Sequence, residues 1–217
     1  MSDLTGNIFF DGPAGRIEAI IKEPAGPITR AAIVCHPHPL FGGTMHNKVV
    51  FRIARVFQNA GFAVLRFNFR GAGRSEGEHD NGLGEQEDLR AAIDFINRRY
   101  PEVDVWLAGF SFGSAVMLRS GVCDNRFLGF IYAGVPVSKY DFSGIVRCNK
   151  PKLVIQGELD AFGQPKEVEP FFAGLDEPKE LVIIAGADHF FEGRLNEMSD
   201  AVSRFIISVD RNEVQSG

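Results

Sequence analysis

The sequence has little that would tie it to nucleic acid, to a membrane or to a disulfide-built scaffold. Lys and Arg number 23 against 28 Asp and Glu, a formal net charge of −5 with no long block of one sign. A nucleic-acid footprint is basic and clustered, so no nucleic-acid partner is expected. No apolar run reaches the roughly 18 residues of a membrane-spanning helix, and no membrane partner is expected. The opening stretch MSDLTGNIFFDG lacks the basic start and apolar core of a signal peptide. Cysteine is scarce: Cys35, Cys123 and Cys148 are an odd number, widely spaced and without a CxxC pair. That pattern reads as reduced thiols and a cytoplasmic location. Repeats, low-complexity tracts and linkers are missing too, so residues 1–217 read as a single domain.

What is present is a core. Apolar residues make up 45% of the chain and charged ones 24%, and 20 phenylalanines point to a Phe-rich interior, an apolar pocket or both. Short apolar runs alternate with helical patterns. Ile8–Phe10 and Arg16–Pro24 flank DGPAG and read as an N-terminal hairpin. AAIVCHP, AVLRFNF (Ala63–Phe69), VDVWLAG, GFIYAGVP, KLVIQGE and KELVIIAG read as strands. Helices are predicted over Lys48–Ala60, stopped by Gly61, over Glu85–Tyr100, over SFGSAVMLRSGV, over Glu167–Leu175 and over Leu195–Val209. Strand–helix alternation with nearly unbroken Val/Ile/Leu strands implies an α/β fold. Its sheet is mostly parallel, of about 7–8 strands, with an antiparallel N-terminal hairpin and helices on both faces. Ligands bind such sheets at the carboxyl ends of strands.

Reactive residue types fall at those ends. Ser111 follows VDVWLAGF, Asp160 follows KLVIQGE, and His189 follows KELVIIAGAD, in the chain order Ser, Asp, His that this architecture uses. A serine hydroxyl needs a base to act as a nucleophile at neutral pH. An imidazole can take and return its proton, and a buried carboxylate can orient the imidazole. Ser111 lies in GFSFG, where flanking glycines permit a tight strand-to-helix turn at a helix N-terminus that favours a developing anion. The bland alternative is a turn without chemistry, which leaves a strained backbone unexplained. Glu158 and Asp188 compete with Asp160 for the acid. His36, His38 and His46 invite a metal reading, but no carboxylate or further ligand stands at suitable spacing, and neither metal nor cofactor is expected. GAGRSEG after a strand is not a dinucleotide fingerprint, because no helix opens directly after it.

CHPHPLFGGTMHN, NFRGAGRSEG and GFSFG together resemble the α/β-hydrolase superfamily over nearly the whole chain. The combination looks like a small bacterial lidless serine hydrolase group with HPHP in place of the commoner His-Gly turn. The resemblance implies Ser111 as nucleophile, Asp160 as acid and His189 as base. It implies an oxyanion hole from the Phe112 N–H and a second donor in the HPHP loop. Pro37 and Pro39 have no N–H, which leaves His38 or Leu40, with His38 favoured. Where NFRGAG begins, the family commonly has Asp and this chain has Asn68. Phe41, Phe110 and Phe190 are candidate pocket residues on a core-or-pocket reading. Val137–Lys150 are too few for a cap, so no large cap domain is expected. A small-molecule acyl substrate, ester or thioester, follows. Amide or aminopeptide cleavage is the alternative, with Glu76, Glu78 or Glu158 receiving the amine. A non-catalytic binding protein is a further reading, and self-association through an exposed face stays open.

Overall fold

The apolar runs form the strands they suggest. The computed structural model describes residues 6–216. Among these, eight strands build one sheet: β1 (Gly6–Gly12), β2 (Gly15–Lys22), β3 (Arg30–Cys35), β4 (Ala63–Phe67), β5 (Asp104–Phe110), β6 (Phe127–Ala133), β7 (Lys152–Gly157) and β8 (Lys179–Ile184). The described helices are α1 (Lys48–Asn59), α2 (Gly84–Arg99), α3 (Phe112–Ser120), α4 (Pro165–Ala173) and α5 (Leu195–Ser216). The sheet order is β1-β2-β4-β3-β5-β6-β7-β8. The β1–β2 hairpin and the β2–β4 pair are antiparallel, and every other neighbouring pair is parallel.

Burial explains the strand sequences. Every residue of β4, β6 and β7 is buried, as befits strands covered on both faces. The edge strand β8 is half-buried and carries Lys179 and Glu180. On one face, Val50, Ile53 and Phe57 of α1 share a core with Trp106 and with Val202 and Phe205 of α5. On the other, Leu89, Ile93 and Ile96 of α2 pack with Val116 of α3, Phe67 and Leu107, and Val168 of α4 belongs to the same cluster.

The order of the inner strands positions the site. From β3 the chain passes through α1 to β4 on one side, then through α2 to β5 on the other side of β3. That reversal opens a crevice at the carboxyl ends of β3 and β5, where open α/β sheets bind ligands. The parallel register sets Cys35 beside Gly109. The loop from His36 and the turn at Ser111 therefore leave the sheet side by side.

Most element boundaries differ from the sequence reading by one or two residues, and two of the differences concern α4 and α5. Helix α4 starts at Pro165 rather than Glu167, because proline suits a first helical turn and Glu167 reaches back to accept from the Gln164 N–H at 3.0 Å. Helix α5 runs on past Val209 to Ser216. Val137–Lys150 form neither helix nor strand and make a short flap.

The thiol expectation is overturned. Cys123, in the loop after α3, is bonded to Cys148 near the end of the flap, with Cα atoms 5.8 Å apart across 25 residues of sequence. The linear spacing hides this, because it is the parallel pairing of β6 with β7 that sets the segments preceding those strands side by side. Cys35, buried in β3, is a free thiol. The compartment reading loses the support it drew from three reduced cysteines. Among the described residues no helix is long and apolar enough to cross a membrane.

A testable consequence concerns this bond. Thiol titration of the unreduced, denatured protein should find one reactive group, and three would contradict the pairing. Cys148→Ser should cost about 3 kcal/mol of stability, read from urea unfolding, as expected for opening a loop of this size.

Candidate active site

Strand β5 ends at Phe110 and α3 begins at Phe112, which leaves one residue to turn the chain. That residue, Ser111, has φ 54° and ψ −116°, a conformation that costs a non-glycine residue about 1–3 kcal/mol. The flanking glycines permit it. A Cβ on Gly109 would sit 2.6 Å from the Gly113 carbonyl carbon, and a Cβ on Gly113 would sit 2.6 Å from the Cys35 carbonyl oxygen. Larger residues would drive the turn off β3. Hydrogen bonds hold it from the other side. The Ser111 N–H donates to the Ala133 carbonyl at 2.9 Å, and the Ser114 hydroxyl donates to the Gly109 carbonyl at 2.7 Å.

Asp160 and His189 arrive on the turns after β7 and β8. Asp160 Oδ2 lies 2.7 Å from His189 Nδ1, and His189 Nε2 lies 2.9 Å from Ser111 Oγ. An ionised carboxylate can only accept, so Nδ1 carries the proton and Nε2 is free to accept from the serine hydroxyl. Asp160 is fully buried. Its Oδ2 also accepts from Gln156 Nε2 at 2.7 Å, and its Oδ1 accepts from the Phe162 N–H at 2.8 Å. Gln156 in turn accepts from the Val135 N–H at 2.8 Å and donates to the Gly163 carbonyl at 2.9 Å. A carboxylate with both oxygens so bonded has one orientation, and it fixes that of the imidazole. An imidazole held this way can take a hydroxyl proton and return it to a leaving group. The rival acids are engaged elsewhere: Glu158 accepts from the Gly186 N–H, and Asp188 caps the next turn by accepting from the N–H groups of Phe190 and Glu192.

The three histidines of the loop region have separate surroundings. His36 is fully buried; its Nδ1–H donates to the Pro37 carbonyl at 2.6 Å, and its Nε2 accepts from the Phe69 N–H at 2.9 Å. Burial pushes its pKa down to about 4. His38 heads a short turn over Pro39–Phe41, and its ring packs 4.8 Å from that of Phe112. His46 is exposed. The Leu40 N–H is 3.3 Å from His38 Nδ1, so the alternative oxyanion donor is turned toward a side chain. The Phe112 N–H, at the first position of α3, has no intrahelical acceptor. Asn68 keeps the bracing role without an aspartate charge: its Oδ1 accepts from the Met45 N–H and its Nδ2 donates to Glu18. Arg70 is tied behind the site to Asp88 by paired hydrogen bonds.

A cavity of about 600 Å³ contains Ser111 and His189 and is walled by His38, Phe41, Phe112, Tyr140, Phe162 and Phe190. Phe41 and Phe190 thus lie where a pocket reading requires. Phe110 does not. It is fully buried, its ring 5.0 Å from that of His189, so it supports the imidazole from the core. Direction alternates across the turn, and Phe112 is the one that reaches the cavity. Sequence reasoning missed Gln156, Lys139, Tyr140 and Phe162. Gln156 carried a signal, a polar residue ending an apolar strand; the flap residues carried none. A second cavity of about 580 Å³ lies under the flap beside the Cys123–Cys148 bond, with Tyr140 in the wall of both.

The fold has counterparts among known proteins. Residues 29–140 match the family model described as Serine aminopeptidase, S33. An α/β serine hydrolase homologue from Coxiella burnetii is 38% identical with a TM-score of 0.85, over 91% of this chain and 95% of that one. A lidless α/β serine hydrolase from Xanthomonas campestris is 34% identical with a TM-score of 0.88, over 96% of each chain. An uncharacterized protein from Rickettsia prowazekii is 36% identical over 214 residues, 94% of this chain and 90% of its own length.

The buried His36 makes stability depend on pH in a defined direction. An unfolded imidazole protonates near about pH 6.5, whereas His36 stays neutral in the fold down to about 4. Between these values the unfolded chain binds a proton that the folded one does not. The contribution is complete above pH 6.5 and falls by about 3 kcal/mol as pH drops to about 4. The unfolding free energy of the wild type relative to His36→Gln should therefore shrink between about pH 7 and about pH 4.5. A difference independent of pH would contradict this.

Proposed function

This chain belongs to the serine aminopeptidase family of α/β-hydrolase-fold proteins, and from that premise we propose that it cleaves a carboxylic ester or thioester through an acyl-enzyme on Ser111. The observation that carries the proposal is the continuous hydrogen-bonded line from Asp160 through His189 to Ser111. Ser111 Oγ attacks the carbonyl carbon as His189 Nε2 takes its proton. Asp160 stabilises the resulting imidazolium. The N–H groups of Phe112 and His38 receive the oxyanion; one such donor typically contributes about 2.7–4 kcal/mol to the transition state. Collapse expels the alcohol or thiol, which leaves with the proton from His189. Water, deprotonated by the same nitrogen, then attacks the acyl carbon, and the acid departs from a regenerated Ser111.

The family description invites an aminopeptidase reading, and the cavity argues against it. An aminopeptidase must hold the free amine of its substrate, a task suited to a carboxylate. Glu76 accepts from the Arg16 N–H at 2.8 Å, Glu158 from the Gly186 N–H, and neither these two nor Glu78 lines the cavity. A binding protein without catalysis has no use for a strained serine joined to an oriented imidazole. Aromatic walls around an open crevice suit an apolar acyl or aryl group.

Matched ester, thioester and amide substrates of one acyl group test the reading. Esters or thioesters should be turned over in preference to amides, and Ser111→Ala should lower kcat by about 10⁴-fold or more with little change in the unfolding midpoint. Retained turnover in Ser111→Ala, or faster cleavage of the amides, would contradict it.

A further inference from the structure

Around the reacting groups the cavity wall is largely aromatic and apolar, and among the described residues no carboxylate lines it. Among the described residues its one ammonium or guanidinium group belongs to Lys139, in the flap. Burial, together with the neighbouring His79, holds the His38 imidazole below its ordinary range, so it adds no positive charge at neutral pH.

The backbone that carries Lys139 is held in place, and its side chain is exposed. Its N–H donates to the Pro136 carbonyl at 3.0 Å, and both the N–H and the hydroxyl of Ser138 donate to the Phe162 carbonyl, at 3.1 and 3.0 Å. These bonds pin the flap to the loop that carries Asp160. The Lys139 ammonium stands 5.6 Å from the centroid of the Phe162 ring, and that ring packs 4.6 Å from the His189 imidazole. The cation is therefore one aromatic ring away from the base. Among the described residues it forms no ion pair. Asp141, two residues on, is not its counter-ion: its carboxylate accepts from the Ser143 N–H and hydroxyl, both at 2.9 Å, and lines the second cavity. In a chain with an acidic excess, an unpaired cation in the wall of the cavity that holds Ser111 is the local exception.

We propose that the substrate carries a carboxylate a few atoms from the scissile carbonyl and that Lys139 receives it. The inference rests on the ester or thioester reading and deepens it. A single ammonium, with no guanidinium fork or second cation beside it, suits a monoanion better than a phosphate dianion. Phe162 and the other rings would cover the apolar segment between the two carbonyl groups, so a half-ester of a dicarboxylic acid, or the acyl ester of a carboxylated alcohol, fits.

Two substrate pairs test this. In one the carboxylate is on the acyl side: para-nitrophenyl hemiglutarate against para-nitrophenyl valerate. In the other it is on the alcohol side: meta-acetoxybenzoate against phenyl acetate. For at least one pair, kcat/KM for the anionic member should exceed that of its neutral match by about two- to fivefold at low salt, the scale of a solvent-exposed ion pair. The advantage should shrink with added salt. Lys139→Gln should bring the ratio for that pair to near one, and Lys139→Glu should invert it. The ratio is internal to each variant, so loss of folded protein does not imitate the effect. Neutral esters turned over with no anionic advantage in either pair would overturn this inference alone. A ratio unchanged in both variants would do the same. Absence of turnover of any of the four esters by the wild type would overturn the hydrolase reading and this inference with it.

Discussion

The position of one backbone reversal decides the rest of the site. At the end of β5 the chain must turn within a single residue, in contact with β3, and Ser111 adopts a positive φ to do so. The turn is possible because Gly109 and Gly113 bring no side chain into the gap where the backbone of β3 and the first turn of α3 meet. Two consequences follow from the same geometry. The serine hydroxyl is carried clear of the sheet edge, and the N–H that opens α3 is left without an acceptor. A presented hydroxyl and a free N–H beside it are thereby made by backbone conformation alone, before any partner residue is considered.

The partners are held by interlocking hydrogen bonds rather than by exposed charge. Asp160 is buried, yet each of its oxygens is bonded, and Gln156 links it to the end of β6 and to the loop that carries Phe162. Removing water from a carboxylate is costly unless its lone pairs are taken up, and here three donors share them. Phe110 seals the imidazole from below while Phe162 and Phe190 border it above. The result is a hydrogen-bonded line from Asp160 through His189 to Ser111 that is aligned as it stands. The flap completes the opposite wall of the cavity with Lys139 and Tyr140, and its far end is fastened by the Cys123–Cys148 bond. Selectivity, on this account, belongs to the flap, and reactivity to the sheet edge.

Much of this was legible in the sequence, for identifiable reasons. Apolar runs buried on both faces and helical spacing between them gave the α/β sheet, and strand ends gave Ser111, Asp160 and His189 as neighbours, because the sheet converts distant positions into adjacent loops. The preference for Asp160 over Glu158 and Asp188 agrees with the geometry, since the rivals cap nearby turns. What the sequence did not carry was side-chain direction in irregular segments. Phe110 and Phe112 differ by two positions across a kinked turn, and only the backbone angles tell which one meets the cavity. The pairing of Cys123 with Cys148 depends on how a flap without regular structure folds back, and no periodicity encodes that. Lys139 went unnoticed for the same reason. The helix boundary at Pro165 is encoded by its proline and capping glutamate rather than by apolar spacing, which begins later.

The central claim is that Ser111 alone is made reactive by His189. Incubation with a fluorophosphonate, followed by peptide mapping, measures this most directly. The account predicts a single phosphonyl adduct on Ser111, and its near-complete loss in His189→Ala at equal exposure. No adduct, an adduct on another serine such as Ser75 or Ser114, or labelling of Ser111 unaffected by loss of the imidazole would contradict it.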